Sequence, residues 1–275
     1  MQPMSKVKDQ LPAGIKEKIR FLSDPAEYNM AEEWYEIAQE DHFWVRLRFA
    51  ILRKIAAENV FMGRILDVGC GHGVSRAQIE EHYHCAVDGC DLNLAALSRA
   101  AAGRGDLLFY NVRNRAGELK ESFSAVVLFD VLEHVPDPVE FLRSVGFHLG
   151  NEGKLIVNVP ALQMLFSKYD LAAGHIKRYS LTSLKKEMSE AGFEIEKATY
   201  WGVVFIPLLL VRRFALRFVP KEKIIQTGFR PGGSFFAFIL DSLSRLERML
   251  PMQPIAGTSL MVIARKNKRK GQAHA

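Results

Sequence analysis

The chain has 275 residues, 48% of them hydrophobic and 25% charged, a balance that excludes a disordered polymer and suits a globular fold. Its net charge of +6 is unevenly placed: residues 201–275 hold 13 Lys and Arg against 3 Asp and Glu, while residues 1–200 hold 24 against 28. The basic quarter points to an acidic partner, a membrane surface or nucleic acid, and the three cysteines cannot all pair and match no zinc-ligand spacing.

Residues 1–60 read as a helical N-terminal cap, because His42 to Leu52 repeats apolar side chains at helical spacing with arginines between them. The first ten residues contain Lys6 and Lys8 with no apolar segment after them, so no secretory signal is expected and the location expected is cytoplasmic. From residue 64 short apolar runs alternate with amphipathic helices. The runs are Arg64–Gly69, Cys85–Leu92, Leu107–Val112, Ala125–Phe129 and Lys154–Val159; the helices are Val74–Tyr83, Asn93–Ala102 and Pro138–Leu149. Such alternation predicts an α/β core over 61–201, a doubly wound and mostly parallel sheet with helices on both faces. Asn93 and Thr182 are predicted N-caps, and Gly192 follows a helix ending near Ala191.

Phe193–Tyr200 and Thr258–Ala264 read as two further strands, the second closing the core over 257–264. Between them lies a hydrophobic and basic insertion, 202–256. Its apolar run 202–211 is too short to span a bilayer, and Arg212, Arg213 and Arg217 follow it. Further on, Ile239, Leu240, Leu243, Leu246 and Leu250 fall on one helical stripe, with Asp241, Ser242, Arg245 and Arg248 on the other side. The tail 265–275 is basic and expected to be disordered.

Residues 64–73 read Arg-Ile-Leu-Asp-Val-Gly-Cys-Gly-His-Gly, a strand feeding a glycine-rich turn. Glycines adopt positive φ and let a ligand approach the backbone, and the helix N-terminus just beyond offers free N–H groups. A Gly-x-Gly-x-Gly turn alone leaves a dinucleotide enzyme open. Here the third glycine of the dinucleotide pattern is missing, and Asp67 would repel a pyrophosphate but pair with an amino group. Asp91, about twenty residues on, suits the two hydroxyls of a ribose better than Asp88, because it stands at the strand's C-terminal edge. Asn111 ends the third run, where it either faces an adenine or serves as a loop asparagine.

With these elements, the run Asp-x-Leu-Glu-His-Val-x-Asp-Pro over 130–138 resembles the class I S-adenosylmethionine-dependent methyltransferases, of the type 11 and type 23 kind. The resemblance covers about 64–200 plus the closing strand. It implies a Rossmann-like, seven-stranded sheet whose last strand is antiparallel. It also implies S-adenosylmethionine as cofactor, with Asp67, Gly69 and Gly71 at its methionine end, Asp91 at the ribose and Asn111 beside the adenine. Asp130 would line the site, and Cys70, Leu92, Val112 and Val131 belong to the same expected lining. Asn111 stands where the family often has aspartate.

Methyl transfer requires an aligned nucleophile and, for a hydroxyl, a base. The long segment after the fifth strand, 160–179, is the expected acceptor side. His175 is the expected general base, with Asp170 and Tyr179 orienting it or the substrate and Arg178 holding an anionic group. Its Gly-His-x-x-Arg-Tyr stretch resembles one found in methyltransferases encoded with glycan or lipid biosynthesis. His134 competes with His175. The acid-x-x-Glu-His run around it also resembles a divalent-metal site of some methyltransferases, but the same residues occur in metal-free relatives; a hydrogen-bonded pocket lining with no metal is expected. The expected activity is methyl transfer to a hydroxyl of a small or lipid-linked acceptor, a glycan, lipid or quinone-type precursor. The insertion is expected to touch an anionic membrane from the cytoplasmic side. A cofactor-binding protein without catalysis and an RNA or protein methyltransferase using the basic C-terminal region are the alternatives. The insertion could also cap the active site or form a dimer interface. No RNA-binding module accompanies the tail, so nucleic acid is not an expected partner.

Overall fold

A run such as Ala125-Val126-Val127-Leu128 has no polar side, so a strand made from it must be covered on both faces. The computed structural model, which describes residues 13–24, 39–220, 224, 233–251 and 255–267, places that run at the centre of one sheet. Its strands are β1 (Ile19–Phe21), β2 (Arg64–Val68), β3 (Ala86–Asp91), β4 (Leu107–Phe109), β5 (Phe123–Phe129), β6 (Leu149–Pro160), β7 (Phe193–Trp201) and β8 (Ser259–Lys266). Their order is β1-β4-β3-β2-β5-β6-β8-β7, with β8 antiparallel to both its neighbours and every other pairing parallel. Chain order reverses between β2 and β5, and in a sheet of this kind a ligand cleft opens there, beyond the carboxyl ends of the strands.

The eighth strand is one more than expected. Ile19–Phe21 falls in the segment read as helical, yet it pairs with Leu107–Phe109 and covers an edge that β4 would otherwise expose. Helices α1 (Ala13–Lys18) and α2 (Phe43–Ile55) flank it in sequence, and residues 1–12 and 25–38 of the expected helical cap lie outside the described residues.

Helices α3 (Val74–Tyr83), α4 (Leu94–Arg99), α5 (Pro138–His148), α6 (Lys168–Ala173) and α7 (Leu181–Glu190) cover the sheet. The predicted cap Asn93 accepts from the Ala96 N–H at 3.0 Å. For α7 the cap is Ser180, not Thr182. Tyr179 is held in a bridge to Ala161, so the helix begins at once, and Ser180 and Ser183 cap each other's backbone. Gly192, at φ +89°, ends that helix as expected.

The insertion forms α8 (Ile206–Ala215) and α9 (Ser234–Met249). Here the predicted stripe is rotated. The face of α9 that packs inward holds Leu240, Leu243, Ser244 and Glu247, while Leu246 and Met249 face solvent. Glu247 explains the rotation: its buried carboxylate accepts from the backbone N–H of Gly202 at 2.7 Å and of Val204 at 3.1 Å, where the chain leaves β7. A carboxylate at the unpaired N–H groups of a first helical turn outcompetes a second leucine for that place. At the far end, residues 265 and 266 of the expected tail belong to β8, and 268–275 lie outside the described residues.

Glu247→Ala should lower stability by about 2–4 kcal/mol, since two buried N–H groups lose a charged acceptor, and Glu247→Gln by about 1 kcal/mol. Urea unfolding measures both. Equal, negligible losses would mean that the carboxylate does not hold the insertion.

Candidate functional site

The glycine turn after β2 is shaped by its backbone. Gly69, Gly71 and Gly73 all have positive φ, and a Cβ on Gly69 would stand 2.6 Å from a methyl of Val131. The turn is tied to β3 by hydrogen bonds from the N–H groups of Gly69 and Cys70 to the Cys90 carbonyl, and by Gly71 N–H to Asp91 Oδ2 at 2.7 Å. Around it lies a cavity of about 500 Å³. All ten residues expected to contact a cofactor line it: Asp67, Gly69, Cys70, Gly71, Asp91, Leu92, Asn111, Val112, Asp130 and Val131.

Their electrostatics are specific. Asp67 is buried, and its Oδ2 has no hydrogen-bond partner. Burial pushes its pKa up to about 7, against the pull of the Arg48 guanidinium and with the added repulsion of Asp91. Burial also raises Asp91, offset in part by N–H groups of Asn93 and Gly71. Each Asp91 oxygen accepts one of those bonds, which leaves further lone pairs for a ligand. Asp88 is excluded from the cavity: it is buried against Arg64, at 2.6 Å, and accepts from the Asp106 N–H at 2.9 Å. Asn111 lines the cavity while its side chain accepts from the Arg113 N–H at 3.1 Å. A pocket lined by one buried carboxylate with an unpartnered oxygen and one half-buried carboxylate fits a ligand carrying an ammonium and vicinal hydroxyls.

Arg48 and Val45 of α2 also line the cavity, and neither was singled out from the sequence. Arg48 Nη1 donates to Asp130 Oδ2 at 2.6 Å and Nη2 to Ser75 Oγ at 2.7 Å. Asp130 itself sits at φ +58° and accepts from Asn158 Nδ2 at 2.6 Å. The missed signal was legible: Val45, Arg48, Leu52 and Ile55 share one helical face, so an arginine stands inside an apolar stripe.

The expected acceptor residues separate. His134 and Ile176 line the cavity, and His175 stands just behind them, its ring edge-on to His134 with centroids 4.9 Å apart. Asp170 and Tyr179 do not reach the cavity. Asp170 accepts from His175 Nδ1 at 3.1 Å, from Arg178 Nε at 2.7 Å and from the Ser167 N–H. Burial acts to raise its pKa, but the His175 hydrogen bond and the Arg178 charge outweigh it and hold the carboxyl at about 2. Tyr179 is buried with its hydroxyl donating to the Leu132 carbonyl, and burial drives its pKa far up. Arg178 is consumed by Asp170 and the Ala161 carbonyl, so it holds no ligand anion here. Of the residues expected to orient His175, Asp170 does touch it; Tyr179 pins the segment instead.

His134 Nδ1 lies 3.2 Å from the Gly174 carbonyl, which can only accept, so that nitrogen carries the proton and Nε2 has the lone pair. His175 likewise donates Nδ1–H to Asp170, with Nε2 3.9 Å from Glu133. Both oxygens of Glu133 are buried and lack hydrogen-bond partners; burial, and then the charge of Asp130, push its pKa well up. Glu133, His134 and His175 each place one donor atom within 4.8 Å of the others. Such a set can hold a divalent cation, and it can equally share a proton.

A family profile described as a methyltransferase domain matches residues 10–198. The ubiquinone biosynthesis O-methyltransferase of Vibrio campbellii is 31% identical over 136 residues, 44% of this chain and 56% of that protein. The chain thus spans little more than half the length of that curated relative. Among solved structures, a SAM-dependent methyltransferase from Archaeoglobus fulgidus superposes with a TM-score of 0.51 at 18% identity, covering 80% of this chain and 94% of that one. Phosphoethanolamine N-methyltransferase 2 of Haemonchus contortus, bound to S-adenosyl-L-methionine, gives 0.51 at 19% identity, covering 82% and 53%. At these identities the superpositions establish the fold.

The Asp170 network carries its own expectation. A carboxyl held near 2 in the fold and at 3.8 in the unfolded chain adds stability above about pH 4 that disappears as pH falls through 2. Asp170→Asn should therefore cost on the order of 2 kcal/mol near neutrality, and the cost should shrink between pH 4 and pH 2. Denaturant titrations across that range measure it; a difference that does not vary with pH would remove the ion pairing as its cause.

Proposed function

The chain belongs to the methyltransferase-domain family, and from that premise we propose that it is an S-adenosylmethionine-dependent methyltransferase acting on a hydroxyl of a small or lipid-linked acceptor. The observation that carries the reading is the cavity itself, lined by a buried, unpartnered carboxylate oxygen beside the glycine turn and by a histidine. When bound, S-adenosylmethionine supplies an activated methyl carbon on a sulfonium.

Asp67 would take the amino group through its unpartnered Oδ2, and Arg48, held by Asp130 and Ser75, would add positive charge to the same wall of the cavity. Asp91 would accept from the ribose hydroxyls, and Leu92, Asn111 and Val112, which line the same cavity, would border the base. His134, which lines the same cavity, would use its Nε2 lone pair to take the proton of an acceptor's hydroxyl and so ready that oxygen as the nucleophile. His175, fixed by Asp170, packs edge-on behind His134 and holds its ring in place. The hydroxyl preference is in keeping with the O-methyltransferases among the curated relatives.

Two measurements test this reading. His134→Ala and His175→Ala should each lower kcat by about 10²-fold or more while leaving the cofactor Kd within about threefold. Turnover near wild type in both variants would remove the histidine pair from the chemistry. Cofactor affinity should also follow Asp67. An ammonium binds its ionised form, so binding weakens by up to about tenfold for each pH unit below 7 and levels off above it. Asp67→Asn should abolish that dependence and weaken binding. Because the folded pKa lies above the unfolded 3.8, ionising Asp67 costs the fold stability as pH rises toward 7, and the same substitution should raise the melting temperature above that pH. Calorimetry showing pH-independent affinity in the wild type would sink the assignment.

A further inference from the structure

Large apolar side chains left in water as a group mark a contact surface. No residue of α8 is buried, and Val211, Phe214 and Phe218, on that helix and the turn after it, are 66%, 60% and 78% exposed. Across from them Met164, Leu171 and Ile176 are 59%, 65% and 49% exposed. The two groups form one surface, because their backbones are stitched together. Arg213 Nη1 donates to the Met164 carbonyl, Lys168 Nζ donates to the Arg217 carbonyl at 3.0 Å, and the Arg212 guanidinium lies 4.3 Å over the Tyr169 ring. Ile176 lines the cavity and follows Leu171 by five residues in a segment tied back on itself by the His175 N–H to the Asp170 carbonyl, so the segment that carries part of the patch reaches the mouth of the site.

Its charge is of one sign. Residues 202–220 contain three arginines and no acid, and the single acid of 160–180, Asp170, is buried in its own ion pairs. Lys168 and Arg217 stand exposed among the apolar side chains. A second copy docked on this face would set those cations against their own equivalents. An anionic surface that also accepts phenylalanine and methionine is the complement, and a lipid bilayer is such a surface. No helix among the described residues is long and apolar enough to cross one, so the contact lies in the plane of the headgroups.

We propose that this face, α8 together with the segment 160–180, seats the protein on an anionic bilayer with the cavity mouth against the headgroups, so that the methyl acceptor is drawn from the membrane. The part concerning the acceptor rests on the function proposed above; the docking does not. It also moves the contact away from the stripe on α9, whose inward side is occupied by Leu240 and Glu247.

The full chain should float with phosphatidylcholine vesicles containing phosphatidylglycerol, float far less with phosphatidylcholine alone, and be released by high salt. The double substitution Phe214→Glu and Phe218→Glu should weaken vesicle binding by at least about tenfold, with the melting temperature and the cofactor Kd unchanged. No flotation at low salt, or flotation that this variant leaves intact, overturns the docking. A dimer seen by sedimentation velocity and dissolved by the same variant overturns it too, by assigning the face to self-association. Cofactor binding is read in parallel: vesicle binding without cofactor binding would retain the docking while removing the methyltransferase reading.

Discussion

Two acidic side chains, buried Asp67 and half-buried Asp130, crowd the edge of the sheet where the crossover direction changes, and the guanidinium of Arg48 pairs with Asp130 and pulls against the burial of Asp67. That guanidinium has to arrive from α2, outside the strand–helix repeat. Much of the remaining architecture keeps α2 in place. Trp44 of α2 packs on Trp201 of β7 with ring centroids 4.5 Å apart, and Arg46 pairs with Asp241 of α9 at 2.6 Å. The indole N–H of Trp201 donates to Asn158, which in turn donates to Asp130. The chain of contacts thus closes on itself, from Asp130 through Arg48, α2 and Trp201 back to Asp130. A buried charge pair of this kind adds little net stability, and its value lies in fixing where the charges stand.

The acceptor side obeys a different logic. Asp170, Arg178 and Tyr179 form a rigid, satisfied network beneath the surface, and Leu162 enters the segment at φ +61°, a backbone angle that a leucine adopts only when its surroundings enforce it. The network leaves His134 and Ile176 at the rim and His175 in support. Rigidity below and an apolar rim above suit a site that must exclude water yet admit a bulky partner.

How much of this was readable depends on whether a residue's role is local. The strands of the core and the turn Asp67–Gly73 were legible because apolar runs and glycine spacing are written within a few residues of each other, and the ten positions expected at a cofactor, several of them from the family resemblance alone, all line one cavity. Strand β1 was not, since a three-residue strand carries no periodicity and exists only because β4 presents an edge. The inward face of α9 was misplaced because Glu247 answers to amides 45 and 43 positions away, which no helical wheel displays. Tyr179 and Arg178 carried the right chemistry for a site but were spent on the Leu132 and Ala161 carbonyls, partners fixed by the tertiary fold.

Strand β8 lies between β6 and β7 although both precede it in the chain, with Lys154 opposite Arg265 and Phe193 opposite Lys266. During synthesis those two strands are made long before the one that joins them. Until it is made, each presents a row of unpaired amides and carbonyls, which is the condition under which nascent chains associate wrongly. The end of the sheet formed by β8 and β7 therefore assembles late and through contacts distant in sequence, so this protein should fold slowly and depend on chaperones in proportion to how quickly it is made.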